Sequence, residues 1–183
     1  MGILPDDAVA TFVGPYEPRI AMLDIKRPIT VGAWDFTDYY FEHKRQQFEA
    51  TNNALPIIKS ICDEYAALSG RPQPLVETYA MEDAELAIIV LSSSAGTTRS
   101  VVRDLRAKGI KAGLVKPRLY RPFPTNEIVA AIGNCKAVAV LDRAASPGTA
   151  FGMGPLCTDV AAALYNTGRC DLKMVIYIYG LGG

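Results

Sequence analysis

Eight positions that follow apolar runs could take part in anion chemistry: Ser93, Ser94, Gly96 and Thr97 in LSSSAGTT, Arg118 and Arg121 in KPRLYRPFP, Arg143 in LDRAAS, and Gly152 in GTAFGMG. Hydroxyls and unpaired N–H groups at a helix start favour a phosphate or carboxylate. Guanidinium forks grip the same groups through paired hydrogen bonds. Each feature also has a plainer reading, which comes first. The serines cap a helix. Gly148, Gly152 and Gly154 meet the needs of the backbone. The arginines pair with acids such as Glu82, Asp83 or Asp142. LSSSAGTT has neither a GxGxxG nor a GxxxxGK[ST] pattern, so its serines are read as caps before they are read as a cradle.

Covalent and acid–base chemistry find less support. His43 is the single histidine and sits in EHKRQQ, a charged stretch far in sequence from a nucleophile or an acid partner. It is read as a solvated helix residue, since no Ser-His or Cys-His pair can be built without it. Cys157 precedes an apolar helix and is read as packing. The EDAE run, Glu82 to Glu85, is read as an exposed turn or as a partner for arginines, with magnesium second. Cys62, Cys135, Cys157 and Cys170 are scattered singly, without the close pairing of a zinc or iron–sulfur loop. No complete catalytic set emerges, and no metal site is expected.

The 183 residues, half of them hydrophobic and 21% charged, suit one globular domain with an extension. Nineteen basic against nineteen acidic residues leave no net charge, so neither nucleic acid nor an anionic membrane is an expected partner. MGILPDD carries acids where a secretory signal would be basic, and Met1-Gly2 lacks the downstream Ser/Thr of a myristoylation site. The thiols, and the lack of an apolar run near ~20 residues, fit a cytoplasmic protein.

What must position the candidate residues is a series of strands and helices. Residues 1–74 read as a proline-rich arm followed by a long amphipathic helix, which begins near Asp35 or Thr37, is kinked or broken at Pro56 near Ala54, and stops at Gly70. The cluster Tyr39-Tyr40-Phe41 covers more than one helix face and is expected to meet another chain or domain. Residues 75–183 then alternate in the order β-β-α-β-α-β-α-β: VETYA, ELAIIVLSSS, the AGTTRSVVRDLRAKG helix closed by Gly109, KAGLVKPRL, TNEIVAAIGN capped by Thr125 or Asn126, KAVAVLDR, LCTDVAAALYNTG and KMVIYIYG. The fold class is α/β, a small open and mostly parallel sheet with helices on both faces. In such sheets ligands bind beyond the carboxyl ends of the strands, where the serines, Lys116, the arginines and Asp142 to Ser146 fall. Pro122 and Pro124 are expected to hold the arginine loop extended.

The segments YYFEHKRQQFEATNNALPIIKSICDEYAALSGR, VETYAMEDAELAIIVLSSSAGTTRSVVRDLRAKGIKAGLVKPRLYRPFP, AVAVLDRAASPGTAFGMGPLCTDVAAALY and IYGLGG resemble the C-terminal half of the α subunit of pyruvate:ferredoxin oxidoreductase and related 2-oxoacid oxidoreductases. The resemblance spans nearly all of residues 10–183. It rests most on the EDAE turn, the RPFP loop after a strand, and LDR before a glycine-rich loop. It implies a domain like the C-terminal domain of transketolases. That domain would belong to an enzyme that oxidatively decarboxylates a 2-oxoacid using thiamine diphosphate, magnesium, iron–sulfur clusters and coenzyme A, and that passes electrons to ferredoxin or flavodoxin.

The family's thiamine-binding domains, GDG…N signature and cluster cysteines have no counterpart in these residues, so no catalytic residue carries over and no cofactor is expected on this chain alone. A non-catalytic assembly domain is therefore expected, either a piece of a longer subunit or a split subunit, with the remaining domains or subunits as its partners. In that setting the arginines would meet a neighbouring domain. The rival reading is a free-standing α/β module that binds an anionic small molecule or nucleotide.

Overall fold

The structure is a computed structural model that describes residues 3–32 and 34–182; Met1-Gly2 and the last glycine of the GLGG run lie outside them. Short β-rich runs punctuated by glycine become five strands: β1 (Val76–Tyr79), β2 (Leu86–Val90), β3 (Ala112–Pro117), β4 (Ala137–Asp142) and β5 (Lys173–Ile178). They form one sheet in the order β1-β3-β2-β4-β5. Strands β3, β2, β4 and β5 run parallel, as the alternation with helices requires, whereas the edge strand β1 pairs antiparallel with β3, Glu77 opposite Lys116. β1 precedes β2 with no intervening helix, and the short turn through Glu82 and Asp83 leaves no crossover that could make it parallel.

Helix α3 (Ser94–Ala107) lies over β3 and β2 on one face, and α4 (Thr125–Ile132) and α5 (Pro155–Asn166) cover the other. Strand alternation divides the core accordingly. Ile89, Val115, Val138 and Val140 pack with Ile128, Leu156 and Val160 from α4 and α5, while Val90 and Leu114 pack with Ala95 and Val102 from α3. Burying a Leu, Ile or Val side chain is worth about 1.5–3 kcal/mol, so the layer under α4 and α5 carries most of the stabilisation. Gly109, at φ +80°, closes α3 as expected.

Upstream, α1 (Asp6–Val13) meets α2 (Tyr40–Ser69) where Phe12 packs edge-on against Tyr65, with ring centroids 6.0 Å apart. Several expectations need correction here. α2 starts at Tyr40 rather than Asp35 or Thr37, because residues 37–39 form a turn whose end bonds back to Phe36. It also continues through Pro56 for 30 residues, so the proline does not break it. The one backbone bond a proline forfeits is outweighed by the intact turns on either side. α4 is preceded by Pro124, not capped by Thr125 or Asn126, which are already helical. The arginine loop is bent rather than extended, and its Arg121–Pro122 peptide is cis.

Among the described residues no helix is long and apolar enough to cross a membrane.

Candidate functional site

Strand order reverses between β2 and β4. β2 leads through α3 to β3 on one side, and the chain then returns past β2 to β4. The crevice beyond the carboxyl ends of β2 and β4 is where an open sheet of this kind offers a site. Ser92 turns the chain out of β2 at φ +59°, and Ser93 and Ser94 begin α3. Ser93 already has helical dihedrals, φ −65° and ψ −27°, and its hydroxyl caps no N–H group, so the expected serine cap is not formed. Ser94 is engaged instead: the Tyr179 hydroxyl, just past β5, donates to its Oγ at 2.8 Å, and the buried Thr98 donates to its carbonyl. Gly96 and Thr97 sit exposed in the first turn of α3.

Asp142, at the end of β4, is 6% exposed and accepts hydrogen bonds at Oδ2 from the N–H groups of Leu156 (2.8 Å) and Cys157 (3.2 Å). It is thereby the N-terminal anchor of α5, not an arginine partner as the sequence suggested. Gly154 makes this possible through space: a Cβ there would lie 2.4 Å from Asp142 Oδ2. Gly148 and Gly152 serve the backbone in another way, at φ +84° and +67°. Arg143 is exposed and folds over Gly180, whose positive φ and missing side chain give it room.

The arginines of the loop are held singly. Arg118 donates to Gln73 and lies 3.9 Å from Glu77, whose carboxylate also takes Arg99 at 2.6 Å and Lys116 at 3.1 Å. Partial burial pushes the Glu77 carboxyl up, but Lys116 and Arg99 outweigh it and hold its pKa below the ordinary value. Arg121 lies 4.2 Å over the Tyr120 ring and donates to Asp159 at 2.8 Å. The acids that meet these arginines are therefore Glu77 and Asp159, not Glu82, Asp83 or Asp142. Glu77 becomes visible as a partner only once β1 is known to pair antiparallel with β3.

EDAE lies at the opposite, amino edge, lining a cavity of about 630 Å³ with Lys111 and Asn134. Two of its three acids are paired: Asp83 takes Arg106 at 2.7 Å, and Glu85 takes Lys136 at 2.6 Å, which holds the Glu85 carboxyl below its ordinary pKa. His43 does have an acid partner, Asp35, whose Oδ1 lies 2.7 Å from Nδ1. Cys157 is fully buried, and burial followed by the neighbouring Asp142 charge pushes its thiol up to about 11, leaving it inert at neutral pH. All four cysteines are free. Among the described residues no group of three or more His, Cys, Asp or Glu side chains could hold a metal ion, so the donor set fits neither a magnesium nor an iron–sulfur site.

The amino-acid sequence matches known proteins along its length. The pyruvate synthase subunit PorA of Thermotoga maritima is 41% identical over 179 residues, covering 98% of this chain and 45% of that protein. PorA of Pyrococcus abyssi is 38% identical, covering 98% and 45%. The ketoisovalerate oxidoreductase subunit VorA of Pyrococcus horikoshii is 36% identical, covering 100% and 46%. The chain thus spans a little under half the length of these curated relatives.

A solved 2-oxoglutarate:ferredoxin oxidoreductase from Magnetococcus marinus, with 2-oxoglutarate, coenzyme A and succinyl-CoA bound, aligns with 72% of this chain and 21% of its own at TM-score 0.43 and 21% identity, a likeness too loose to bear on the site. The family description "Pyruvate:ferredoxin oxidoreductase core domain II" matches residues 84–183, from the turn before β2 through the whole parallel part of the sheet. With more than half of its residues so matched, the chain belongs to the pyruvate:ferredoxin oxidoreductase core domain II family.

Proposed function

We propose that this chain is a non-catalytic assembly domain of a 2-oxoacid:ferredoxin oxidoreductase acting on pyruvate, in which companion domains or subunits hold thiamine diphosphate, magnesium and the iron–sulfur clusters and receive coenzyme A, with ferredoxin or flavodoxin as electron acceptor. The observation that carries this reading is the pairing of polar groups at the carboxyl edge. Asp142 is committed to α5, Ser94 to Tyr179, Arg121 to Asp159, and Arg118 to Gln73 and Glu77. Among the described residues such a site has a finished interior and no acid, base and nucleophile aligned on a common point.

The PorA relatives, more than twice as long as the matched segment, supply the setting. The work of the domain is then to present surfaces to its neighbours. The test is pyruvate-dependent dye reduction. The chain alone is expected to give none, and activity should appear only when the companion subunits and coenzyme A are added. Turnover by the solitary chain, or failure to associate with the companions, overturns the reading.

One observation favours the second reading, an anion-binding module. Around Glu77 three cations, Arg99, Lys116 and Arg118, face one carboxylate, an excess of two positive charges. Calorimetry with coenzyme A and nucleotides separates the two readings: micromolar affinity, about −8 kcal/mol, supports the module, and no heat supports the assembly domain.

A further inference from the structure

Strands of a parallel sheet are ordinarily covered on both faces, yet α3 covers only β3 and β2. On the same face the registered rows Leu86–Ala137–Lys173, Ile88–Ala139–Val175 and Val90–Leu141–Tyr177 continue across β4 and β5; Leu141 still borders the α3 cluster, but among the described residues no helix makes more than marginal contact with this face of β5. Leu86 and Val175 are each 42% exposed and Tyr177 59%, whereas Met174 and Ile176, which alternate with them, pack into the core on the covered face.

The flank of α3 that borders this strip can be identified. Ser94, Val101 and Lys108 follow at seven-residue steps, and Ser94 is tied to Tyr179 beyond β5. Val101, 45% exposed, therefore forms a side wall. The two alanines in β4 keep the floor low, leaving a trough one helix wide between α3 and the free edge of β5.

The rim of the trough is cationic. Lys173 heads the first row, Lys108 ends the α3 flank, and Arg143 stands one alternation beyond Leu141 at the carboxyl end. Among the described residues none of these three is paired with a carboxylate, and the acid on α3, Asp104, lies 3.8 Å from Arg103.

We propose that this trough seats an amphipathic α-helix with acidic residues at its two ends, supplied by the portion of the longer PorA-type subunit that these 183 residues do not span. Its apolar stripe covers Val175, Tyr177, Leu86 and Val101, and its acids meet Lys173 and Lys108 at one end and Arg143 at the other. The inference rests on the assembly reading above, and three observations select the occupant. A strip one helix wide suits a helix rather than a sheet, a cationic rim selects acids, and more than half of each curated relative lies outside the matched segment.

The experiment uses the intact assembly, purified from cells that produce this chain with its companion polypeptides, with Tyr177 replaced by the photo-crosslinker p-benzoylphenylalanine. Irradiation and peptide mapping are expected to give one dominant product, joining residue 177 to an acid-flanked helical segment in the part of the subunit not spanned here. Lys173→Glu with Arg143→Glu is expected to lower the crosslink yield by about tenfold. Lys173→Arg with Arg143→Lys should leave it unchanged, and circular dichroism should confirm folding in every variant. A product with a second copy of this chain, with another subunit or with a non-helical segment overturns the proposal, as does no product from an assembled enzyme. If no companion copurifies with the chain at all, the assembly reading itself fails, and that outcome is distinct from an assembled enzyme whose trough is empty.

Discussion

Asp142 Oδ2 receives two N–H groups from the first turn of α5 in a nearly water-free setting. Asp142→Ala orphans both donors, and at 1–3 kcal/mol for each buried unpaired group the expected loss is about 2–6 kcal/mol, read by urea unfolding. Asp142→Asn keeps an acceptor and should cost less. Cys157, beside it, gives a pH signature. Burial, then the Asp142 charge, pushes its thiol up to about 11 in the fold from an ordinary 9.0, so above pH 9 the unfolded chain releases its proton first. The thiol's contribution to stability is whole below pH 9 and declines as pH rises toward 11. A Cys157→Ala variant should show a shallower alkaline loss across that window. The sequence placed Asp142 at the end of a strand and Cys157 in packing, but it offered arginines as partners for the aspartate. Backbone donors 14 residues downstream leave no mark on side-chain patterns, because any residue provides an N–H group.

Order and type of the elements could be read from hydrophobic period and glycine punctuation, since the strands of this sheet are buried runs and their helices carry one apolar face. The antiparallel direction of β1 and the unbroken course of α2 could not. The first depends on the length of a turn, and the second on a balance between one lost bond and many retained ones. α2 has no buried residue, and Phe41, Phe48, Ile57 and Ile61 are exposed along it. Its stability in the isolated chain therefore rests mainly on local bonds, supplemented by half-buried contacts such as that of Tyr65 with Phe12. Hydrogen exchange should find α2 amides far less protected than those of β2 and β4, and Pro56→Ala, which restores one bond and removes a steric clash, should raise α2 protection by an amount of order 3 kcal/mol or less. Protection of α2 equal to that of the central strands would contradict this picture.

At the scale of the molecule, the interior contacts fall within residues 75–183, and the arm adds mainly exposed apolar side chains such as Leu23, Ile25 and Trp34. A fragment 75–183 is expected to unfold cooperatively with a midpoint close to that of the whole chain, as checked by thermal circular dichroism. Loss of folding in the fragment would show that the arm and α2 carry the core.

The antiparallel edge strand has a further, mechanical consequence. The arm enters β1 at Val76, opposite Pro117, and β5 leaves the sheet at Ile178, opposite Asp142, so both attachment points lie on the same rim. Tension between the two termini runs across the strands rather than along them, and it loads the β1–β3 ladder one rung at a time from Val76. Pulled in a force spectrometer, the arm should come away first, like a zipper tab, at low load and with little extension, while the other four strands hold until a second, larger rupture.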